Sequence, residues 1–412
     1  MTAAASVPLK RWQATIIPLV LALLGMLGPF SIDTPYPGFE SIQHEFGVGN
    51  AETQQLVAAY MLAFAVMSIL HGPLSDAIGR RPVVLGGLSV YALASLGAVF
   101  APNMAVLIAC RVLQGLAAGG GVIVSRAMVR DLYAGPMAQK LMSRVMMIFG
   151  LAPAIAPIIG GVLVTSSGWR SVFGFMTGIG VLLVAVVILC LPETHPVERR
   201  TELSVRGLLR SLFGVFRTPS FHRVAWTGSL MFGAYFLYIG AAAIVVVDLL
   251  GQGPNDFWKL FVPMIIGFTG GAFVGGRLAG RISIIASASM GLAITITGAL
   301  TNTVLMSFPA LQGLPWAVVG PFLLGFGASI GFPSMQVIVM DQFPAHRGAA
   351  TSAATFLTLV LNALGAGLLA PVMARSLFTM AAVGLGYTLA AGLLWAWHLW
   401  LARAGRVGTA EA

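Results

Sequence analysis

Arginines and lysines fall in every second gap between about twelve apolar runs, and no other pattern in the chain limits its fold so tightly. Basic residues stay on the cytoplasmic side of a bilayer, so charge recurring in alternate gaps records a path that crosses the membrane again and again. The runs lie at roughly 14–35, 53–71, 83–101, 104–125, 141–165, 171–191, 224–247, 257–276, 282–307, 314–340, 349–372 and 377–402. Most reach the about 20 helical residues that a hydrocarbon core requires. A Gly-rich stretch blurs both ends of the eighth.

With the N-terminus placed inside, 19 of the 23 basic residues fall on the cytoplasmic side. They are Lys10 and Arg11; Arg80 and Arg81; Arg126, Arg130, Lys140 and Arg144; Arg199, Arg200, Arg206, Arg210, Arg217 and Arg223; Arg277 and Arg281; Arg347; and Arg403 and Arg406. Arg170, Lys259 and Arg375 fall outside, and Arg111 lies within a run. Both termini are therefore expected to be cytoplasmic. A composition of 58% hydrophobic and 9% charged residues excludes an ordinary soluble domain. The net charge of +10 is spread over seven short segments, which suits anionic lipid headgroups and not nucleic acid. The first run is too long for a signal peptide and leads into Pro-rich sequence without a cleavage pattern, so it reads as a helix. Cys110 and Cys190 fall inside apolar runs, where packing is expected instead of a disulfide or a metal.

The longest cytoplasmic connection, Pro192 to Phe221, divides the chain into six runs and six. The expected layout is an N-terminal bundle at 1–195, a linker at 196–221 and a C-terminal bundle at 222–412. Weak internal similarity supports a duplicated unit. Val129-Arg130-Asp131-Leu132-Tyr133 matches Val339-Met340-Asp341-Gln342-Phe343, Gly72 and Leu74 match Gly276 and Leu278, and Ala156-Pro157 matches Ala370-Pro371. The three offsets are 210, 204 and 214 residues, close to half of 412. Repeats of this kind mark transporters, with a solute site near the bilayer midplane.

The sharpest local signal is Gly72-Pro73-Leu74-Ser75-Asp76-Ala77-Ile78-Gly79-Arg80-Arg81-Pro82 between the second and third runs. It reads as a tight cytoplasmic turn in which Asp76 faces a helix N-terminus and Arg80 and Arg81 hold the inner surface. Gly, Asp, Gly, Arg and Arg at this spacing resemble the loop signature of the major facilitator superfamily. The resemblance extends over almost the whole chain and narrows to the Bcr/CflA-type drug:proton antiporters. Ser31-Ile32-Asp33, Arg111-Val112-Leu113-Gln114-Gly115, Val129 to Tyr133, Ala152 to Gly161, and Asp341-Gln342-Phe343-Pro344 with Arg347-Gly348 all look like segments of that branch. Two positions depart: Ala156 stands where the broader antiporter motif often has Gly, and Thr34-Pro35-Tyr36-Pro37 replaces the usual aromatic and Leu before the proline.

The resemblance implies an all-α integral membrane protein with 12 transmembrane helices in two six-helix bundles, the major facilitator fold, in a bacterial inner membrane. It also implies a proton-coupled exporter of small amphipathic compounds such as antibiotics, driven by the proton gradient without a cofactor and acting as a monomer. The alternative is a transporter dedicated to one metabolite, exported or taken up.

Ionisable side chains inside a bilayer are costly and usually functional. Asp33 follows a charge-free stretch from Ala14 to Ile32, so by length it could be a solvated helix end at the outer interface. The resemblance instead implies a proton-accepting carboxylate in a central cavity. Arg111 is about seven residues into its run, with Gln114 on the same face. Its guanidinium needs acceptors, which could be Asp33, directly or through water, or backbone carbonyls. Pro153, Pro157, Gly160 and Gly161 give the fifth run a bend and a small-residue face, which the resemblance makes a hinge and seal. The resemblance also implies gating roles for Gly72, Asp76, Gly79, Arg80, Arg81, Asp131 and Asp341. Candidate pocket residues are Tyr36, Tyr60, Gln114, Tyr235, Tyr238, Gln336 and Asn362, aromatic or amide groups in runs expected to line a cavity, and Met146 and Met147 would suit a deformable surface. No catalytic constellation, phosphate loop or metal-ligand set gathers at a recognisable spacing, and His71 and His398 read as isolated helix-end residues.

Overall fold

The computed structural model describes residues 11–133, 152–153, 155–201 and 203–404. Among them, regular structure is helical apart from one isolated bridge between Ala279 and Ile282. Ten helices are long and apolar enough to cross a membrane. The other two runs account for the difference. The fifth is described only at 152–153 and from 155 on, where Ile155–Ser167 is helical, and the seventh carries Arg223 and several hydroxyl side chains that dilute its apolar character.

The chain forms two compact units, Met1–Leu203 and Ser204–Ala412. In the first, α1 (Arg11–Asp33) leads through a 3-10 turn (Tyr36–Gly38) into the short α2 (Phe39–Phe46). α3 (Asn50–Ile78), α4 (Arg80–Val99), α5 (Met104–Leu132), α6 (Ile155–Ser167) and α7 (Arg170–Cys190) follow. α1 stops at Asp33 because Pro35 and Pro37 supply no amide hydrogen and pre-set the turn that follows. Glycine sets the spacing of the helices. A Cβ on Gly115 of α5 would overlap the Tyr60 carbonyl of α3, and one on Gly87 of α4 would crowd the Ala117 carbonyl of α5. Leu93, Leu182 and Leu189 point away from the bundle, as apolar side chains do where lipid is the solvent.

The second unit comprises α8 (Val205–Phe216), α9 (Pro219–Gly240), a π-helical turn (Ile244–Leu249), α10 (Trp258–Leu278), α11 (Ile284–Met306) and α12 (Val319–Gln342). It continues with α13 (Arg347–Leu364), a second π-helical turn (Gly365–Leu369), α14 (Ala370–Met373) and α15 (Leu377–Arg403). α12 is held by the same device: Gly267 and Gly271 of α10 lie on the carbonyls of Phe322 and Phe326, and Gly291 of α11 lies on Gly331. The eleventh run lies in one span, Arg347–Met373, whose helix widens to a π-helical turn at Gly365–Leu369.

The turn of the signature after the second run is tight and confined to one residue, because α3 continues through Pro73 to Ile78 and only Gly79 separates it from α4. Gly79 has φ +105°, a backbone state that L side chains avoid, so a glycine there permits a one-residue reversal. His71 is not a helix-end residue: it is buried inside α3 against Gly119 of α5, its Nδ1 2.7 Å from the Met67 carbonyl.

Candidate functional site

The last turn of α1 is where the first unit concentrates buried polarity. Ser31, Asp33 and Thr34 are each at most 1% exposed. Ser31 Oγ donates to the Leu27 carbonyl at 2.6 Å and meets Tyr91 Oη at 2.6 Å, while Thr34 Oγ1 donates to the Phe30 carbonyl at 2.5 Å. Both hydroxyls are thus satisfied within or beside α1. Asp33 is not: its Oδ1 is buried without a hydrogen-bond partner. The alternative of a solvated helix end is thereby overturned for this structure.

Arg111, 1% exposed, sits in α5 and reaches two other helices. Its Nε donates to the Leu56 carbonyl of α3 at 3.0 Å and its Nη1 to the Ser31 carbonyl of α1 at 3.0 Å. Nη1 also donates to Gln114 Oε1 at 2.8 Å, and the guanidinium lies 4.5 Å from the Tyr60 ring centroid. The alternative of backbone carbonyl acceptors therefore holds, since Asp33 takes part in none of the ion pairs among the described residues. Arg111 is nevertheless anchored on the Ser31 carbonyl, two residues before Asp33, so the guanidinium and the carboxyl share the last turn of α1. A buried carboxyl thus lies beside a cation whose hydrogen bonds go elsewhere.

Gln114 is fixed on both sides, its Nε2 donating to Ser95 Oγ at 2.7 Å. Tyr60 donates weakly to the Gly28 carbonyl at 3.4 Å. Tyr36 is 1% exposed with Oη unpartnered, its ring edge-on to Phe39. Gln54, which the sequence did not single out, is fully buried in the first turns of α3 with both amide atoms unpartnered. It stands two residues before Leu56, whose carbonyl holds Arg111. Its amphipathic surroundings in the sequence gave no signal, because Gln near the start of a helix is ordinarily solvated.

α6 closes against the same turn. A Cβ on Gly160 would overlap the Thr34 carbonyl oxygen and lie 3.3 Å from Pro37 Cδ, and Gly38 in turn is pressed against Trp169 and Val164. Ala156, Pro157 and Gly161 are also buried, whereas Pro153 is half-buried. Met146, Met147 and Ala154 lie outside the described residues. Gly160→Ala is expected to shift the Asp33 turn, at a cost of about 1–3 kcal/mol from overpacking. Transport in cells should fall while the purified protein stays folded. Unchanged transport would mean that the contact is loose packing.

At the other end of α3, Arg80 is the buried member of the arginine pair. Its Nη1 contacts Asp76 Oδ1 at 2.5 Å and Ser75 Oγ at 2.6 Å, and its Nε contacts Asp131 Oδ2 of α5 at 3.1 Å. Thr194 Oγ1 donates to the same Asp131 oxygen at 3.0 Å. The expected placement of Asp76 at a helix N-terminus is corrected, because Glu193 takes that position. It accepts from the backbone amides of Arg80 at 3.0 Å and Arg81 at 3.2 Å. Arg81 instead donates to the Ile188 carbonyl at 2.7 Å. Gly72 lies within α3, and a Cβ there would meet nothing. Arg80→Ala would leave Asp76 and Asp131 facing each other without their cation, costing about 1–3 kcal/mol for this half-exposed set. A thermal melt of purified protein should show the loss, and Arg81→Ala should show a smaller one; equal melts would remove the distinction.

In the second unit the counterpart is weaker. Asp341 and Arg347 are 3.6 Å apart and largely exposed. Tyr235 stacks on Phe268 at 5.5 Å and lies against Gly325. Tyr238 accepts from Asn302 Nδ2, and the oxygens of Asn302, Gln336 and Asn362 are buried without partners. These amides are carried by α11, α12 and α13 respectively.

The family model described as Major Facilitator Superfamily matches residues 21–366. Multidrug resistance protein D of Escherichia coli (strain K12) is 30% identical over 370 residues, 89% of this chain and 90% of that protein. A Haemophilus influenzae protein named bicyclomycin resistance protein homolog is 28% identical over 88% of this chain and 92% of its own length. Among solved structures, a bacterial homolog of the human lysosomal transporter Spinster, inward-facing and unoccupied, aligns with a TM-score of 0.69 at 16% identity. That alignment covers 94% of this chain and 96% of the other, and at such identity it speaks for the fold alone.

Proposed function

The chain belongs to the major facilitator superfamily, a family of multi-pass membrane transporters, and on that premise we propose that it expels small amphipathic compounds in exchange for protons taken up at Asp33. The observation that carries this reading is the buried, unpartnered Asp33 Oδ1 on the same helix turn whose Ser31 carbonyl holds Arg111, the Nε and Nη1 of which are engaged by Leu56, Ser31 and Gln114. Ionising a carboxyl without donors is expensive unless a nearby cation offsets it. Such a group exchanges its proton in response to what enters its surroundings, and that is the property a coupling site needs.

In this scheme twelve helices span a bacterial inner membrane with both termini in the cytoplasm, and the protein works as a monomer by alternating access. The outward-facing form loads a proton on Asp33. The inward-facing form releases it as cargo binds, so the proton gradient drives export without a cofactor. Tyr36, Tyr60, Gln114, Tyr235, Tyr238, Gln336 and Asn362 contact cargo. Gly72, Asp76, Gly79, Arg80, Arg81, Asp131 and Asp341 gate the cytoplasmic side, and Pro153, Pro157, Gly160 and Gly161 form the hinge. Support for export comes from relatives named for drug resistance.

Charge narrows the cargo. With Asp33 ionised, it and Arg111 sum to zero, so a dication meets no net attraction and neutral or zwitterionic compounds are favoured. A dedicated metabolite transporter is the second reading, favoured if one compound alone is moved. Everted vesicles energised with an acidic lumen should release that acidity when an exported neutral drug such as a phenicol or bicyclic antibiotic is added. Absence of proton movement with every amphipathic compound would overturn the proposal, as would faster export of dications than of neutral drugs for the charge argument.

A further inference from the structure

A groove of about 260 Å³ lies in the second unit where α8 hands over to α9 and the end of α15 passes behind them. Arg217, His222 and Arg223 supply its polar lining, Trp226, Leu394 and Trp397 its apolar one, and none of the residues lining it is acidic. Arg223 is 7% exposed, yet its Nε has no hydrogen-bond partner. Its guanidinium lies over the Trp397 ring at 5.2 Å, which offers an attractive face but no acceptor. His222 is fixed by a 2.6 Å contact between Nε2 and the Phe216 carbonyl, and Arg217 lies over Phe213 at 5.4 Å. Three basic side chains are thus held in place around a cavity that contains no counter-charge of its own.

α8 locates this groove relative to lipid. The helix buries Leu212 and Val215 and exposes Leu209 and Phe213. Arg206, Arg210, Phe213 and Arg217 recur at helical spacing along one exposed face. A helix with basic side chains beside exposed apolar ones is suited to lie in the headgroup layer. Trp397 and Trp400, 51% and 60% exposed, are of the type that anchors at that depth.

We infer that this groove binds the phosphodiester headgroup of an anionic phospholipid, its phosphate on Arg217, His222 and Arg223 and its glycerol and upper acyl chain on Trp226, Leu394 and Trp397. The two-sided lining selects the lipid over free phosphate, which would use the basic side alone. The site stands apart from the proton-coupling proposal and does not depend on it.

The test uses full-length protein in detergent, with lipid retention read by native mass spectrometry during titration with phosphatidylglycerol, phosphatidylcholine or inorganic phosphate. Phosphatidylglycerol should be retained preferentially. Its apparent affinity should fall about fivefold in Arg217→Gln and about 30-fold in Arg217→Gln/Arg223→Gln. Arg217 is exposed, so its single variant keeps the test open should loss of the buried Arg223 impair folding. Equal phosphatidylglycerol affinity in wild type and Arg217→Gln would overturn the inference. So would equal retention of phosphatidylcholine, or displacement of phosphatidylglycerol by an equimolar amount of inorganic phosphate.

Discussion

Asp33→Asn is expected to reduce uphill export to the level of cells lacking the protein, while cargo counterflow down its own gradient persists. Asparagine matches the protonated carboxyl in size and neutrality, so the fold around Ser31 and Thr34, whose hydroxyls bond within or beside α1, should be kept. What is lost is the ability to change charge in a place where charge is costly. A susceptibility panel comparing wild type and Asp33→Asn gives the first readout, and counterflow in proteoliposomes gives the second. Counterflow by the wild type should vary with pH, and by Asp33→Asn should not. Retained pH-driven accumulation in the variant would place the proton site elsewhere.

The second large effect is expected at Arg111. Arg111→Ala would strip the donor from the Leu56 and Ser31 carbonyls and from Gln114 Oε1, all in a region sealed from solvent. The Leu56 carbonyl keeps its intrahelical donor within α3, but the Ser31 carbonyl, four residues before Pro35, and Gln114 Oε1 are left unpaired at about 1–3 kcal/mol each, so the loss should reach several kcal/mol. For a unit of this size that corresponds to a fall of roughly 10 °C in the melting temperature of purified protein. Arg111→Lys keeps the charge but cannot span from α5 to both α1 and α3, because an ammonium on a flexible stem lacks the guanidinium fork. Its melting temperature should lie between the other two, and its transport should remain defective. If Arg111→Ala melts like the wild type, the guanidinium does not tie these helices together.

Much of this was readable beforehand, for identifiable reasons. The capacity to span a membrane is written in segment length and hydropathy, which act locally along the chain. Among the described residues, ten helices meet the requirement for spanning. The run containing Arg223 falls short through its own polar residues, and the fifth is described only in part. Asp33 and Arg111 stood out because a charge in an apolar run is conspicuous whatever it touches. Glu193, Gln54 and Ser95 did not. Each is an ordinary residue in its local context, and only contact with Arg80, burial beside Leu56 or a bond to Gln114 makes it matter.

The repeat shows the same division. Asp131 and Asp341 occupy matching positions after their helices, so sequence comparison treats them alike. Asp131 meets a buried Arg80 and Thr194, whereas Asp341 meets only an exposed Arg347 at 3.6 Å. The residue type recurs at the two positions but its surroundings do not.

The amino-acid order alone determined that this chain carries many segments long and apolar enough to cross a bilayer, and that Asp33 and Arg111 are charges set among apolar residues. Those properties follow from composition within each segment, since water and lipid sort residues without reference to distant parts of the chain. Which acceptors satisfy Arg111, that Asp33 keeps an unpartnered oxygen, and that Gly160 presses on its turn were decided by packing. Hydrogen bonds and steric contacts act over a few ångströms between residues far apart in the chain, as Gly160 and Thr34 are, and no local pattern encodes such distances.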